Sequence, residues 1–263
     1  MRETQDVVRQ VVVAASAVAA IVGSFIGSGA AGGTPIQDAA GGALSATSTP
    51  VAPDGPAFSI WSVIYFGLVA YAVWQLLPAQ ASAERHRRLG YWIAASLLLN
   101  AAWILSVQFD LLALSLPLIV ALLAVLGWVF VLCLRYRPTG RVDAVITDAT
   151  IGLYLGWVSI ATAANAAAVL TAIGFTGFGL NPDLWAVLVI AVAAAVGVMT
   201  AIVGKGRIAP ALSLAWGLAW IAVGRLTGGL HSAPAASAAI IAIVIVLGAA
   251  VALRLTRGRG LAS

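Results

Sequence analysis

Continuous apolar runs separated by short polar stretches set the pattern of this chain. The runs fall at 8–28, 57–77, 89–109, 111–134, 147–170, 183–203, 208–225 and 236–254. A helix crosses the hydrocarbon core of a bilayer with about 20 apolar residues at a rise of about 1.5 Å each. A membrane-barrel strand would instead alternate apolar and polar positions over about ten residues, and these runs do not alternate. The pattern therefore predicts an all-α polytopic membrane protein with about eight transmembrane helices. Between the first two runs, residues 29–56 are rich in Gly, Ala, Ser, Thr and Pro and hold no aromatic residue. This stretch reads as a flexible loop closed by Pro50, Pro53 and Pro56.

Composition narrows the class further. Of 263 residues, 62% are hydrophobic and only 9% charged, and the mean hydropathy is +1.05. Soluble domains carry about a quarter charged residues, so a soluble enzyme, a disordered chain, a collagen-like fibre and a disulfide scaffold are all excluded. The net charge of +5 does not indicate a nucleic-acid partner, because the basic residues sit between the apolar runs. Arg2 precedes the first run and Arg9 stands at its start. Arg85, Arg87 and Arg88 follow the second. Arg135, Arg137 and Arg141 follow the fourth, Lys205 and Arg207 the sixth, and Arg254, Arg257 and Arg259 end the last. Of the 14 basic residues, Arg225 alone falls on the other side. Short cytoplasmic loops collect Lys and Arg, which predicts a multi-pass protein of the cell membrane, of bacterial plasma-membrane type, with the N-terminus and C-terminus both cytoplasmic and loop 29–56 external. A second reading of the N-terminus is a cleaved signal peptide: Arg2 and Arg9, an apolar stretch, then small residues from Gly27 to Gly33. Both readings deliver 29–56 to the outside.

Several motifs carry no chemistry. Gly27 to Gly32 matches G-x-G-x-x-G, but no strand precedes it and no helix opens after it, and a dinucleotide fingerprint needs both. His86 and His231 are predicted on opposite faces, so no shared metal is expected. The one cysteine, Cys133, reads as a small core hydrophobe. Gly23/Gly27, Gly152/Gly156 and Gly224/Gly228 are G-x-x-x-G pairs that permit close helix approach. Packing within one chain is the favoured use of these pairs, and a homodimer seam is the alternative.

All nine tryptophans lie inside the predicted spans. Trp74, Trp92 and Trp185 suit the aromatic belt at the membrane interface, whereas Trp103 and Trp157 are placed nearer mid-membrane. Phe58, Trp61 and Tyr65 share a face of the second span. Asn100 and Trp103 are neighbours on the third, and Trp157, Ala161 and Asn165 form a stripe on the fifth, with Tyr154 beside it. From the helical rise, the three sets fall at one depth, within about 20 Å of the outer end. An amide in hydrocarbon needs a partner, so Asn100 and Asn165 are expected to face the interior. One reading is helix-to-helix hydrogen bonding alone. The other is a cavity with aromatic walls and a few polar anchors, suited to a flat, mostly apolar ligand.

Phe58-Ser59-Ile60-Trp61-Ser62-Val63-Ile64-Tyr65, Leu99-Asn100-Ala101-Ala102-Trp103 and the segment from Tyr154-Leu155-Gly156-Trp157 to Asn165 resemble the signatures of helices 2, 3 and 5 of the tryptophan-rich sensory protein family (TspO/MBR, the translocator proteins). The resemblance covers residues 8–170. It implies a TspO-like five-helix bundle over 1–170, followed by three additional transmembrane helices and a basic tail over 171–263. It further implies a sensor or ligand-binding protein for a tetrapyrrole (a porphyrin or haem) or a sterol-like molecule. Phe58, Trp61, Tyr65, Asn100, Trp103, Tyr154, Trp157, Ala161 and Asn165 would then line the cavity. The chain departs from the family pattern in its aromatic-free first loop, in Leu153 where a proline is common, and in the spacing of Phe58 and Trp61.

Two further polar groups stand out. Asp148 opens the fifth span, where an acid suits the helix dipole. Arg225 either snorkels to the interface or anchors an anion above Trp216 and Trp220. The alternative function is a small secondary transporter or carrier of a lipid or hydrophobic anion. No acid–base pair or metal set is visible, so an enzyme is not expected, with slow oxidative chemistry on a bound pigment the weaker option. The partners expected are the bilayer and a hydrophobic small molecule.

Overall fold

The computed structural model describes residues 3–259 and contains eight helices long and apolar enough to cross a membrane. Among the described residues there is no strand. Arg2 and the side chains of Arg257 and Arg259, counted above among the basic flanks, lie outside the described residues. The helices are α1 (Thr4–Gly27), α2 (Ile60–Trp74), α3 (Glu84–Gln108), α4 (Leu112–Arg135), α5 (Thr150–Ala172), α6 (Pro182–Val203), α7 (Ile208–Thr227) and α8 (Ala233–Arg259). A 3-10 turn, Gly55–Ser59, leads into α2, and a π-helical turn, Ala144–Ala149, leads into α5.

Helix ends follow local chemistry. The Asp54 side chain accepts from the Gly55 amide at 2.8 Å at the entry to α2. Asn181 accepts from Asp183 N at 2.8 Å, with Pro182 in the first turn of α6. Both are N-capping arrangements that satisfy donors the helix leaves open. Helix α3 begins at Glu84, well before the apolar run at 89, and the fifth span begins at Arg141 rather than near 147. Both extensions are charged helical turns that hydropathy alone passes over.

By packing, the chain forms two compact units. The first takes residues up to Ile36 together with Trp61–Ile151, and the second takes Gln37–Ile60 together with Gly152 onward. These units are drawn by contact.

In the first unit α1 packs on α3, and α3 on α4. Between lipid-embedded helices there is little hydrophobic drive, so close packing and hydrogen bonds hold the contact. Gly23 and Gly27 make the α1–α3 seam: a Cβ at Gly23 would lie 3.0 Å from Ala101 Cβ, and one at Gly27 2.8 Å from Ile104. The end of this unit that carries Thr4 is ionic. Asp6 accepts from Arg87 Nε at 2.8 Å and from its Nη2 at 2.7 Å, and from Arg9 at 3.3 Å. Arg85 is ion-paired with Asp148, lies 3.4 Å from Asp143, and donates to the Tyr136 carbonyl. Asp148 thus has a guanidinium partner in addition to the helix dipole expected from the sequence.

In the second unit α7 packs on α8 and α6, and α8 on α6. Gly152 and Gly156 meet Ala209, Pro210 and Ser213 of α7, and Gly217 of α7 meets Ile160 of α5. Two of the three G-x-x-x-G pairs therefore serve seams within a unit. In the third pair, Gly224 faces Asp54 instead of a helix.

Candidate functional site

In the first unit, α2 places Trp61 and Tyr65 one turn apart. Their rings stack at 5.4 Å between centroids and 26° between planes. Trp103 of α3 adds a second ring, 6.2 Å from Trp61 at 31°. Trp103 is 3% exposed, which is the burial expected of an interior wall and not of an interfacial belt. Asn100, one turn from Trp103, is 1% exposed. Its Nδ2 donates to the Tyr65 hydroxyl at 2.5 Å. The Tyr65 hydroxyl is also hydrogen-bonded to Ser24 of α1. A polar chain of three residues from three helices thus runs beside the stacked rings.

That chain leaves one strong group open. Asn100 Oδ1 is buried and has no hydrogen-bond partner among the described residues. A buried carbonyl without a donor costs free energy of order 1–3 kcal/mol, and native structures keep few such groups. The open acceptor belongs to a residue one turn from Trp103 and bonded to Tyr65, both members of the aromatic set. Ser24 was not among the residues singled out from sequence. Its signal is faint: a hydroxyl between Gly23 and Gly27, on the face of α1 that those glycines bring against α3.

The second unit holds the other expected residues. Phe58, in the 3-10 turn, meets Trp157 of α5 edge-on at 6.0 Å and 78°. Trp157 is 1% exposed, Tyr154 0% and Asn165 1%, while Ala161 is partly exposed. Asn165 is thus interior, as an amide in hydrocarbon requires. The wall around Phe58 is fixed by α7. Trp216 Nε1 donates to the Ala57 carbonyl at 2.9 Å, and Asp54 N donates to the Trp220 carbonyl at 3.2 Å.

Arg225 departs from one of its two sequence readings. It does not snorkel, since it is 1% exposed. Its terminal nitrogens donate to two loop carbonyls, Thr49 at 3.0 Å and Ala46. Its Nε and the Thr49 hydroxyl are buried without partners. The loop at 37–60 is consequently not a free tether. Leu44, Thr49, Val51 and Ala52 are all buried. Its lack of aromatics suggested flexibility, but small apolar side chains and carbonyls matched to one guanidinium hold it instead.

Among the described residues no group of three or more His, Cys, Asp or Glu could hold a metal ion. The apolar groove along α2, lined by Phe66, Val69, Val73 and Leu77, offers no charged side chain.

Compared with protein-family models, the chain matches that described as TSPO-like protein over residues 11–252. No curated protein and no solved structure matches it. The family match runs from within α1 to within α8, past residue 170 where the residue-level resemblance stopped, and takes in the last three spans. With eight membrane-crossing helices and a match over nearly its whole length, this multi-pass membrane protein belongs to the TSPO-like protein family.

Proposed function

We propose that the chain is an integral membrane sensor or ligand-binding protein, and that its ligand is a flat hydrophobic molecule of tetrapyrrole or sterol-like type. The observation that carries this reading is the unpartnered Oδ1 of Asn100 beside the Trp61, Tyr65 and Trp103 rings. Pyrrole N–H groups and a sterol hydroxyl are both donors on a flat apolar body, which is the chemistry such a site accepts. The basic flanks read from sequence put both termini in the cytoplasm and the site in the outer half of the membrane. The family membership agrees with this reading without naming the ligand.

Titration of the purified protein with protoporphyrin IX, haem and cholesterol, followed by tryptophan fluorescence, tests it. Saturable quenching by at least one of the three is the expected result. Three flat, unsaturable responses would remove the reading.

A second reading, a small carrier of a lipid or hydrophobic anion, draws on Arg225, a cation buried in a spanning helix with its Nε unused. Accumulation of a hydrophobic anion in liposomes, driven by an ion gradient and lost in Arg225→Met, would favour it.

A further inference from the structure

The Thr4 end of the first unit holds a second polar group, apart from the aromatic site. Buried, unpartnered atoms there include Arg9 Nε, Tyr71 Oη, Gln75 Oε1 and His86 Nδ1. The residues that carry them are 1%, 2%, 0% and 0% exposed. Arg9 comes from α1, Tyr71 from α2, Gln75 from the turn just after α2, and His86 from α3. Several contacts connect these elements. The Tyr71 and His86 rings are 5.7 Å apart. Gln75 is bonded to α1 twice, its backbone carbonyl accepting from Gln10 Nε2 at 2.7 Å and its Nε2 donating to the Gln10 backbone carbonyl at 3.2 Å. The Arg9 side chain lies across Gly90, one turn beyond His86, where a Cβ would come within 2.8 Å of it.

The partners already made define what remains. Arg9 spends one terminal nitrogen on Asp6 at 3.3 Å and the other on the Ala81 carbonyl at 2.7 Å, which leaves its Nε–H as a donor. His86 Nε2 faces Gln80 Oε1 at 3.2 Å. A carbonyl oxygen only accepts, so Nε2 carries the hydrogen and Nδ1 is left as an acceptor. These four atoms offer two donors, Arg9 Nε–H and Tyr71 Oη–H, and two acceptors, Gln75 Oε1 and His86 Nδ1. An anion would call for donors alone and a cation for acceptors alone. Charge calls for neither, because Asp6 is shared by Arg9 and Arg87, and Glu3 adds to the acidic side at 3.3 Å from Arg87. A small guest that both donates and accepts is water, which binds stably inside proteins where two to four polar partners converge.

We infer that Arg9, Tyr71, Gln75 and His86 form a binding site for ordered water at the junction of α1, α2 and α3. The site brings an imidazole and a phenol into contact with exchangeable water inside a segment otherwise built to exclude it. It is independent of the ligand reading above.

Radiolytic hydroxyl footprinting of the full chain in lipid nanodiscs tests the site, because radicals form from water at the place where it is bound. Tyr71 is expected to be oxidised about ten times faster than Phe130, an aromatic residue of the same unit that is 3% exposed. Tyr71 modified no faster than Phe130 overturns the proposal, whether both are protected or both labelled. In Gln75→Leu, which removes one acceptor, Tyr71 oxidation should fall severalfold. An unchanged rate in that folded variant also overturns it. If Gln75→Leu does not fold, the wild-type comparison decides alone.

Discussion

Tyr65 joins three helices through one oxygen, receiving a hydrogen bond from Asn100 and sharing another with Ser24. Tyr65→Phe keeps the ring stacked on Trp61 but strands two buried polar groups. It should cost about 1–3 kcal/mol of stability, read as a shift in the unfolding midpoint in detergent. Arg85→Met is expected to cost more, about 3–5 kcal/mol, because it leaves Asp143 and Asp148 without their buried cation. Adding Asp148→Asn to that variant should recover part of the loss. At this scale the sequence was most legible where a residue type is out of place in hydrocarbon. Asn100 and Asn165 stand out in apolar runs, and both are interior. Ser24 did not stand out, because a serine in a spanning helix usually bonds its own backbone, as Ser96 does to the Ile93 carbonyl at 2.8 Å. Arg225 was legible as anomalous but not as a clamp, because its partners are backbone carbonyls that no residue pattern encodes.

The helices owe their contacts to glycines at particular places. Gly156 lies against the Pro210 backbone and the Ser213 hydroxyl, so no side chain fits without moving α7. Gly156→Val should destabilise the second unit by about 1–3 kcal/mol through overpacking. Gly248 meets nothing within 4 Å, and Gly248→Ala should be neutral or stabilising, since alanine is the better helix former. Thermal unfolding of the two variants side by side separates a seam glycine from an idle one. The loop at 37–60 gives an element-scale test of its own. Arg225→Met should raise hydrogen exchange at the amides of residues 44–57, which the guanidinium now ties to α7. Protection unchanged there would show that small-residue packing holds the loop alone. Span number and order were readable from apolar runs. The starts of α3 and the fifth span were not, because their first turns are charged, and hydropathy scores side chains while the helix is set by the backbone.

For the whole molecule, we propose from the eight candidate crossings and the basic flanks that both termini lie in the cytoplasm. A green fluorescent protein fused after Ser263 should therefore fluoresce, and an alkaline phosphatase fused there should be inactive. The family match through residue 252 means that the last three spans belong to what the family model describes. In the second unit α7 bonds the Phe58 turn and the loop before it, which gives one of those spans a positioning task. The central claim is that Asn100 anchors a ligand against an aromatic wall. Parallel protoporphyrin IX titrations of wild type and Asn100→Leu in nanodiscs, both first shown to be folded, test it most directly. The account predicts saturable tryptophan quenching in the wild type and an affinity about tenfold or more weaker in Asn100→Leu. Equal affinities for the two proteins would contradict it.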